Sequence, residues 1–187
     1  MTTRSRSLYL RTYQEADAAG WHRLRADPDI SALVFGRLLI PESPEETRAW
    51  AREFREHPRQ EMWTVCRRDD DVAIGVATLD SIDTWNRTTW HGLNLFATES
   101  RARGLGTEGF ALALDFMFNQ LNFRVTYGEI LATNVAARRI SEKTGAEYVG
   151  VRRDAWFIDG RHVDTVLIVQ RRDRFNAVRE ACLGLAG

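Results

Sequence analysis

The stretch TESRARGLGTEGF, residues 98–110, puts two arginines and two closely spaced glycines directly before an apolar run. Arg101 and Arg103 carry fork-like donors suited to phosphate oxygens. Gly104 and Gly106 let a backbone turn sharply and approach a ligand closely. A helix that starts here leaves its first N–H groups without intrahelical acceptors, and those groups favour an anion. Taken alone, the stretch is either a tight turn or a phosphate cradle.

Two nucleotide motifs are tested against it. The chain has no GxxxxGK[ST], which argues against a P-loop. Gly104, Gly106 and Gly109 formally match GxGxxG. A dinucleotide fingerprint belongs in the first βαβ unit, with an acidic residue about 20 positions further on. Here it lies mid-chain and no second βαβ half follows.

The elements that must position this loop are readable. LYLRTY alternates as a strand, and Thr12 with Glu15 offers a capping box before ADAAGWHRLRA. Ser43, Pro44 and Glu46 open a second helix, which puts Trp50 and Phe54 on one face and stops at Pro58. Three strands follow: MWTVCRR, VAIGVATLDSI and WHGLNLFA. Phe110, Leu114, Met117 and Leu121 form an apolar helical stripe behind the glycines. FRVTYGEILAT reads as a strand. NVAARRISEKTG reads as a helix between an Asn134 N-cap and a Gly145 stop. AEYVGVRRDAWFI and HVDTVLIVQ close as a hairpin through DGR, and a last helix begins near Arg174. The order βααβββ then αβαββ predicts an α/β (α+β) fold with a mixed sheet, one domain over residues 1–187.

Composition narrows the function. Lysine plus arginine equals aspartate plus glutamate at 26 each, so no basic excess marks a nucleic-acid binder. No apolar run is long enough to span a bilayer, and the N-terminus lacks a signal-peptide core, so the expectation is a cytoplasmic protein. Cys66 and Cys182 lie far apart and predict neither a disulfide framework nor a metal site.

The loop Arg101-Ala102-Arg103-Gly104-Leu105-Gly106 resembles the [QR]xxGx[GA] pyrophosphate loop of the GNAT acyltransferase superfamily. NVAARRISEKTGA is similar to that superfamily's NxxAxxxYxKxGF segment. LYLRTYQEADAAGWHRLRADPDI, IGVATLDSID and NRTTWHGLNLF resemble the RimJ/RimL-like branch of ribosomal-protein N-terminal acetyltransferases, over residues 8–172.

The resemblance implies a centrally splayed sheet flanked by helices, and acetyl-CoA as acyl donor with no metal. The amides of Ala102, Arg103, Gly104, Leu105, Gly106 and Thr107 would hold the pyrophosphate, beside Arg101. The backbone of Phe96 and Thr98 on the splayed strand would pair with the pantetheine arm, and Asn134 would contact it. The implied reaction is acetyl transfer to a primary amine, either a peptide or protein N-terminal α-amine or a small molecule. The alternative is a non-catalytic acyl-CoA-binding module. A homodimer is compatible with the pattern, though no residue motif demands one.

Two positions depart from the superfamily. Ser141 stands where many members carry a thiolate-protonating tyrosine, and Ala137 where RimJ/RimL-like members carry a serine. Ser141 is the candidate acid and His91 the candidate base, with Asp80 and Asp83 as further bases or plain turn residues. Trp85, Trp90, Trp156 and Phe157 are either acceptor-pocket walls or packing. Arg152, Arg153 and Asp154 read as a solvated face. An α-amine has a reference pKa near 8, against about 10.4 for lysine, so a weak base suffices for it.

Overall fold

The computed structural model describes residues 4–27, 30–32, 43–96 and 104–185. In chain order the elements are β1 (Leu8–Thr12), α1 (Ala18–Ala26), α2 (Pro44–Glu56), β2 (Glu61–Arg67), β3 (Ala73–Asp83), β4 (Thr88–Leu95), α3 (Leu105–Asp115), β5 (Val125–Leu131), α4 (Val135–Lys143), β6 (Glu147–Ile158), β7 (Arg161–Arg171) and α5 (Arg172–Leu183). Thr98, Arg101, Ala102 and Arg103 lie outside the described residues.

The sheet runs β1-β2-β3-β4-β5-β7-β6. Every neighbouring pair is antiparallel except β4 and β5. That parallel pair holds from Thr88↔Val125 to Trp90↔Tyr127 and then stops. Beyond it β4 stays bonded to β3 as far as Gly75↔Leu95, and β5 stays bonded to β7 as far as Leu131↔Thr165. The two halves of the sheet therefore part at His91 and Gly128, and the expected splay is present.

Helices cover both faces. On one, α3, the turn that follows it and α5 pack Phe110, Leu112, Leu114, Phe118 and Phe175 against Leu8, Val65, Ala77 and Leu79. On the other, α1 and α2 pack Trp21, Leu24 and Ala51 against Tyr13, Met62 and Val76. Each large apolar side chain buried this way is worth about 1.5–3 kcal/mol.

Local chemistry explains the element ends. Ser43 accepts from the Glu46 N–H at 3.2 Å while the Glu46 carboxylate accepts from the Ser43 N–H at 2.7 Å, which completes the expected box. The first helix starts differently. A 3-10 turn, Glu15–Asp17, leads into it, boxed by Gln14 with Asp17, and Asp17 accepts from the Gln14 N–H at 2.9 Å. Asp17 is also gripped by Arg11 at 2.8 Å and Thr64 at 2.7 Å, partners that Glu15 lacks.

The stripe behind the glycines holds through Met117, but Leu121 is 41% exposed. Phe116–Gln120 form a π turn in which the Leu121 N–H bonds the Phe116 carbonyl. The extra residue in that turn rotates Leu121 off the buried face. The last helix begins two residues earlier than its apolar pattern suggests, at Arg172. Asp159 and Gly160 both have positive φ, at 50° and 78°, as a two-residue hairpin turn between β6 and β7 requires.

Candidate active site

The parting of β4 from β5 opens a cavity of about 350 Å³. Residues from both faces of the sheet line it, so it passes through the sheet. Strand alternation sorts them. His91 points to the α3 face, with its ring centroid 5.1 Å from that of Phe110. Thr126 shares that face, since its Oγ1 lies 2.7 Å from His91 Nδ1. Gly128 is two residues on, where an added Cβ would meet His91 Nε2 at 2.8 Å. Ile140 and Ser141 of α4 join them. Glu129 has the opposite parity and points to the α1/α2 face, where Trp21, Trp50 and Phe54 form the wall. Trp156 of β6 also lines the cavity.

The open edge of β4 follows from its ladder. The Phe96 N–H donates to the Ile74 carbonyl at 2.8 Å, so Phe96 faces β3. Antiparallel pairs alternate. Gly92 and Asn94 therefore also face β3, while Leu93 and Leu95 turn their N–H and C=O groups into the gap. This corrects the expectation for Phe96: the strand edge available to a ligand is that of Leu93 and Leu95. Phe96 instead packs edge-on to Trp21 at 6.4 Å.

The glycine loop enters α3 as the sequence suggests. Gly104 has φ +75°, and among the described residues beyond its chain neighbours no atom lies within 4 Å of a Cβ placed there. Its carbonyl accepts from the Thr107 and Glu108 N–H groups, which leaves those of Leu105 and Gly106 without an intrahelical acceptor. Gly106 allows α4 to come close, since a Cβ there would meet Ile140 Cδ1 at 2.9 Å. Asn134 caps α4, accepting from the Ala137 N–H at 3.0 Å, and lines the cavity.

His91 is held neutral. Burial pushes its imidazole down to about 4. The proton's place follows from hydrogen-bond satisfaction. The Thr126 hydroxyl is fully buried, and His91 Nδ1 is its one side-chain partner among the described residues. If Nδ1 carried the proton, that hydroxyl would have nothing to donate to. The Thr126 O–H therefore donates to Nδ1, and Nε2–H is presented beside Gly128. In this tautomer His91 is a donor to the cavity, with no free lone pair for a base.

Ser141 is 3% exposed, and its hydroxyl donates to the Ala137 carbonyl at 3.0 Å, one turn back along α4. Gln170 holds this part of α4 from β7 through Thr144 Oγ1 at 2.8 Å.

Among the described residues that line the cavity, Glu129 is the single carboxylate. Arg152 Nη1 donates to its two oxygens at 2.7 and 2.8 Å, and the Thr165 hydroxyl donates to Oε1. Arg152 is thus no idle part of a solvated face. Asp80 and Asp83 line no part of the cavity. Asp83 accepts from Asn86 N and Nδ2, both at 2.8 Å, and those bonds, the backbone one first, hold its carboxyl below the usual range. Trp85 is 92% exposed, and Trp90 and Phe157 are exposed as well. The missed residues are Glu129, Trp21 and Thr126. A lone acidic residue inside VTYGEIL was the available signal for Glu129.

Among the described residues, no group of three His, Cys, Asp or Glu gathers to hold a metal, and no helix is long and apolar enough to cross a membrane.

Comparison with known proteins places this geometry. Spermidine N-acetyltransferase from Vibrio cholerae, solved with CoA and spermine, superimposes with a TM-score of 0.81 at 22% identity, covering 90% of this chain and 98% of that one. Mycobacterium smegmatis RimJ with CoA-disulfide gives 0.78 at 19% identity, covering 98% and 94%. A GNAT-family acetyltransferase from Bacillus anthracis gives 0.77 at 15% identity, covering 92% and 99%. No curated protein sequence matches significantly. The family model for the acetyltransferase (GNAT) domain matches residues 7–147, three quarters of the chain. The chain belongs to the GNAT acetyltransferase family.

Proposed function

We propose that this protein is an acetyl-CoA-dependent N-acetyltransferase acting on a primary amine by direct attack within a ternary complex. The observation that carries this reading is the through-sheet cavity, with an unpaired strand edge on one side and a carboxylate on the other, and with the α3 N-terminus close against Ile140 of its lining. The residues present fit the donor. Leu93 and Leu95 offer a free ladder edge for an amide-bearing arm. The Leu105 and Gly106 N–H groups, at a helix start, suit a pyrophosphate. Arg101, Arg103, Thr98 and Thr107 flank these groups in sequence, and Asn134 stands across the cavity.

Bound acetyl-CoA supplies an activated thioester carbonyl and a thiol leaving group. The protein's own residues do the rest. Glu129 accepts a hydrogen bond from the incoming ammonium, orients it and takes its proton. The nitrogen can attack only once that first proton has left; as its bond to carbon forms and the C–S bond breaks, its second proton, now strongly acidic, passes to the departing thiolate, giving amide and thiol. The pairing with Arg152 and Thr165 fixes the orientation of Glu129. His91 presents Nε2–H from the α3 face as a fixed donor toward the oxygen on which negative charge develops. Sheet and helices exclude bulk water from the contact, and positioning supplies much of the rate.

The test combines two measurements. Acetyl-CoA should raise the melting temperature of the wild type but not of Gly104→Glu, whose side chain brings a negative charge to the helix start. Thiol release should appear with at least one primary amine. Stabilisation by acetyl-CoA with no release across a panel of α-amines, alkylamines and arylamines would leave the non-catalytic acyl-CoA-binding module instead.

A further inference from the structure

The acceptor side of the cavity has a definite chemistry. Its wall is Trp50 and Phe54 from α2, backed by the buried Trp21 of α1, and Trp156 of β6 lines the same cavity. Trp21 and Trp50 stack at 5.2 Å with their planes 6° apart. Phe54 continues the surface, 5.4 Å from Trp50. Trp50, Phe54 and Trp156 give the cavity a wide apolar area, beside which Thr78 and Asn94 are neutral polar side chains.

Charge on this side is scarce. Glu129 is the one ionised group among the described lining residues, and Arg152 already neutralises much of it. The aromatic wall is also a poor cage for further cations. One face of Trp50 is covered by Trp21, and the Arg25 guanidinium lies over the ring at 5.0 Å. That cation uses the remaining π face and repels a second positive charge nearby.

These observations set the balance for a bound amine. One ammonium can be matched by Glu129. Among the described lining residues, a second or third ammonium on the same ligand would leave water with no carboxylate to receive it, at a cost of several kcal/mol each. An apolar body, by contrast, gains about 25 cal/mol for each Å² it buries against the rings.

We propose that the acceptor is a monoamine carried on an aromatic or large aliphatic body, and that polyamines are poor acceptors. The inference rests on the N-acetyltransferase reading above and names the substrate class of that same site. The amine lies against Glu129 and the body against Trp50, Phe54 and Trp156, with the buried Trp21 backing Trp50. The same chemistry is found in a free arylalkylamine and in a peptide whose first residue is large and apolar.

The experiment is thiol release from acetyl-CoA with five acceptors: phenethylamine, Phe-Ala-Ala, Ser-Ala-Ala, spermidine and spermine. Phenethylamine, Phe-Ala-Ala or both should exceed the other three by at least about tenfold in kcat/KM, the effect of a large side chain in an apolar pocket. Activity with phenethylamine alone assigns a free amine, and activity with Phe-Ala-Ala a peptide. Trp156→Ala, on a half-exposed hairpin strand, should raise KM for the aromatic acceptor several-fold while acetyl-CoA stabilises the variant as it does the wild type. Equal or higher kcat/KM for spermidine, spermine or Ser-Ala-Ala would overturn the inference and leave the N-acetyltransferase reading standing. Stabilisation by acetyl-CoA with no release from any of these acceptors or from the wider amine panel would overturn both.

Discussion

Thr126 and His91 meet across the point where the sheet parts. Thr126 Oγ1 lies 2.7 Å from His91 Nδ1, one strand over; Thr126 is still paired with Thr89, and His91 is the first β4 residue past the ladder to β5. The hydroxyl has no other side-chain partner among the described residues, so it donates to the ring. The bond aims the opposite nitrogen, with its proton, into the cavity. A threonine in the middle of a strand thereby sets which role a histidine on the neighbouring strand can play.

Thr126→Val keeps the side chain's shape and removes the donor. Nothing then fixes the tautomer, and the ring is free to present a lone pair instead of a proton. One hydrogen bond of this kind is worth about 0.5–1.5 kcal/mol, so kcat should fall by roughly two- to tenfold. KM for acetyl-CoA should stay near its wild-type value. An unchanged kcat in Thr126→Val would mean that the His91 proton does not act in the reaction.

His91 also predicts a pH dependence of stability. Its native value is about 4, below the reference value of 6.5, because burial disfavours the charged ring. Between those limits the unfolded chain binds a proton that the native protein does not, so stability rises with pH across the window. It is lost progressively as pH falls from about 6.5 towards 4, by at most about 3 kcal/mol, and less to the extent that the ring edge meets solvent. Urea midpoints from pH 4 to 7 should therefore rise more steeply for the wild type than for His91→Asn. Parallel slopes would contradict a buried neutral imidazole.

What the sequence reveals and what it hides divides along range. Ser43 with Glu46, Asn134 with the Ala137 N–H, and Gly104 before α3 are contacts within four residues, and their residue types announce them. Glu129 draws its partners from Arg152 and Thr165, 23 and 36 residues away, once the β6–β7 hairpin docks on β5. The aromatic wall is hidden for a related reason. Trp50 and Phe54 are visible as one helical face, but only the end of β4–β5 pairing at Trp90 and Tyr127 turns part of that face into a cavity wall. Thr12 and Glu15 fit the capping pattern better than Gln14 and Asp17 do. Arg11 and Thr64 decide between them by binding Asp17, and Thr64 comes from a different strand.

Ser141 occupies the position at which the family resemblance implies a proton donor, and its hydroxyl is already committed to the Ala137 carbonyl. To reach another acceptor it must rotate away from that bond inside a buried site. Ser141→Ala should therefore lower kcat by no more than about threefold, within the worth of one weak helix back-bond. It should leave the melting temperature within a few degrees of wild type. A fall of a hundredfold or more would restore Ser141 as the acid and require the rotated side chain.

Glu129→Gln is the sharpest test of the reaction chemistry. The amide keeps the size of the side chain and can still accept from Thr165, but it cannot take a proton and no longer balances Arg152. Losing a positioned proton acceptor costs about 10²–10⁴ in rate. Losing the ion pair costs little stability, because the Arg152 side chain is 53% exposed and remains hydrated. The variant should thus fold and be stabilised by acetyl-CoA as the wild type is, while thiol release with the best acceptor falls at least a hundredfold. The loss should be greatest near neutral pH and shrink as pH rises past the amine's own value, near 8 for a peptide α-amine and about 10.4 for an alkylamine, because there the acceptor arrives already deprotonated. A loss of equal size at every pH would assign Glu129 to binding alone.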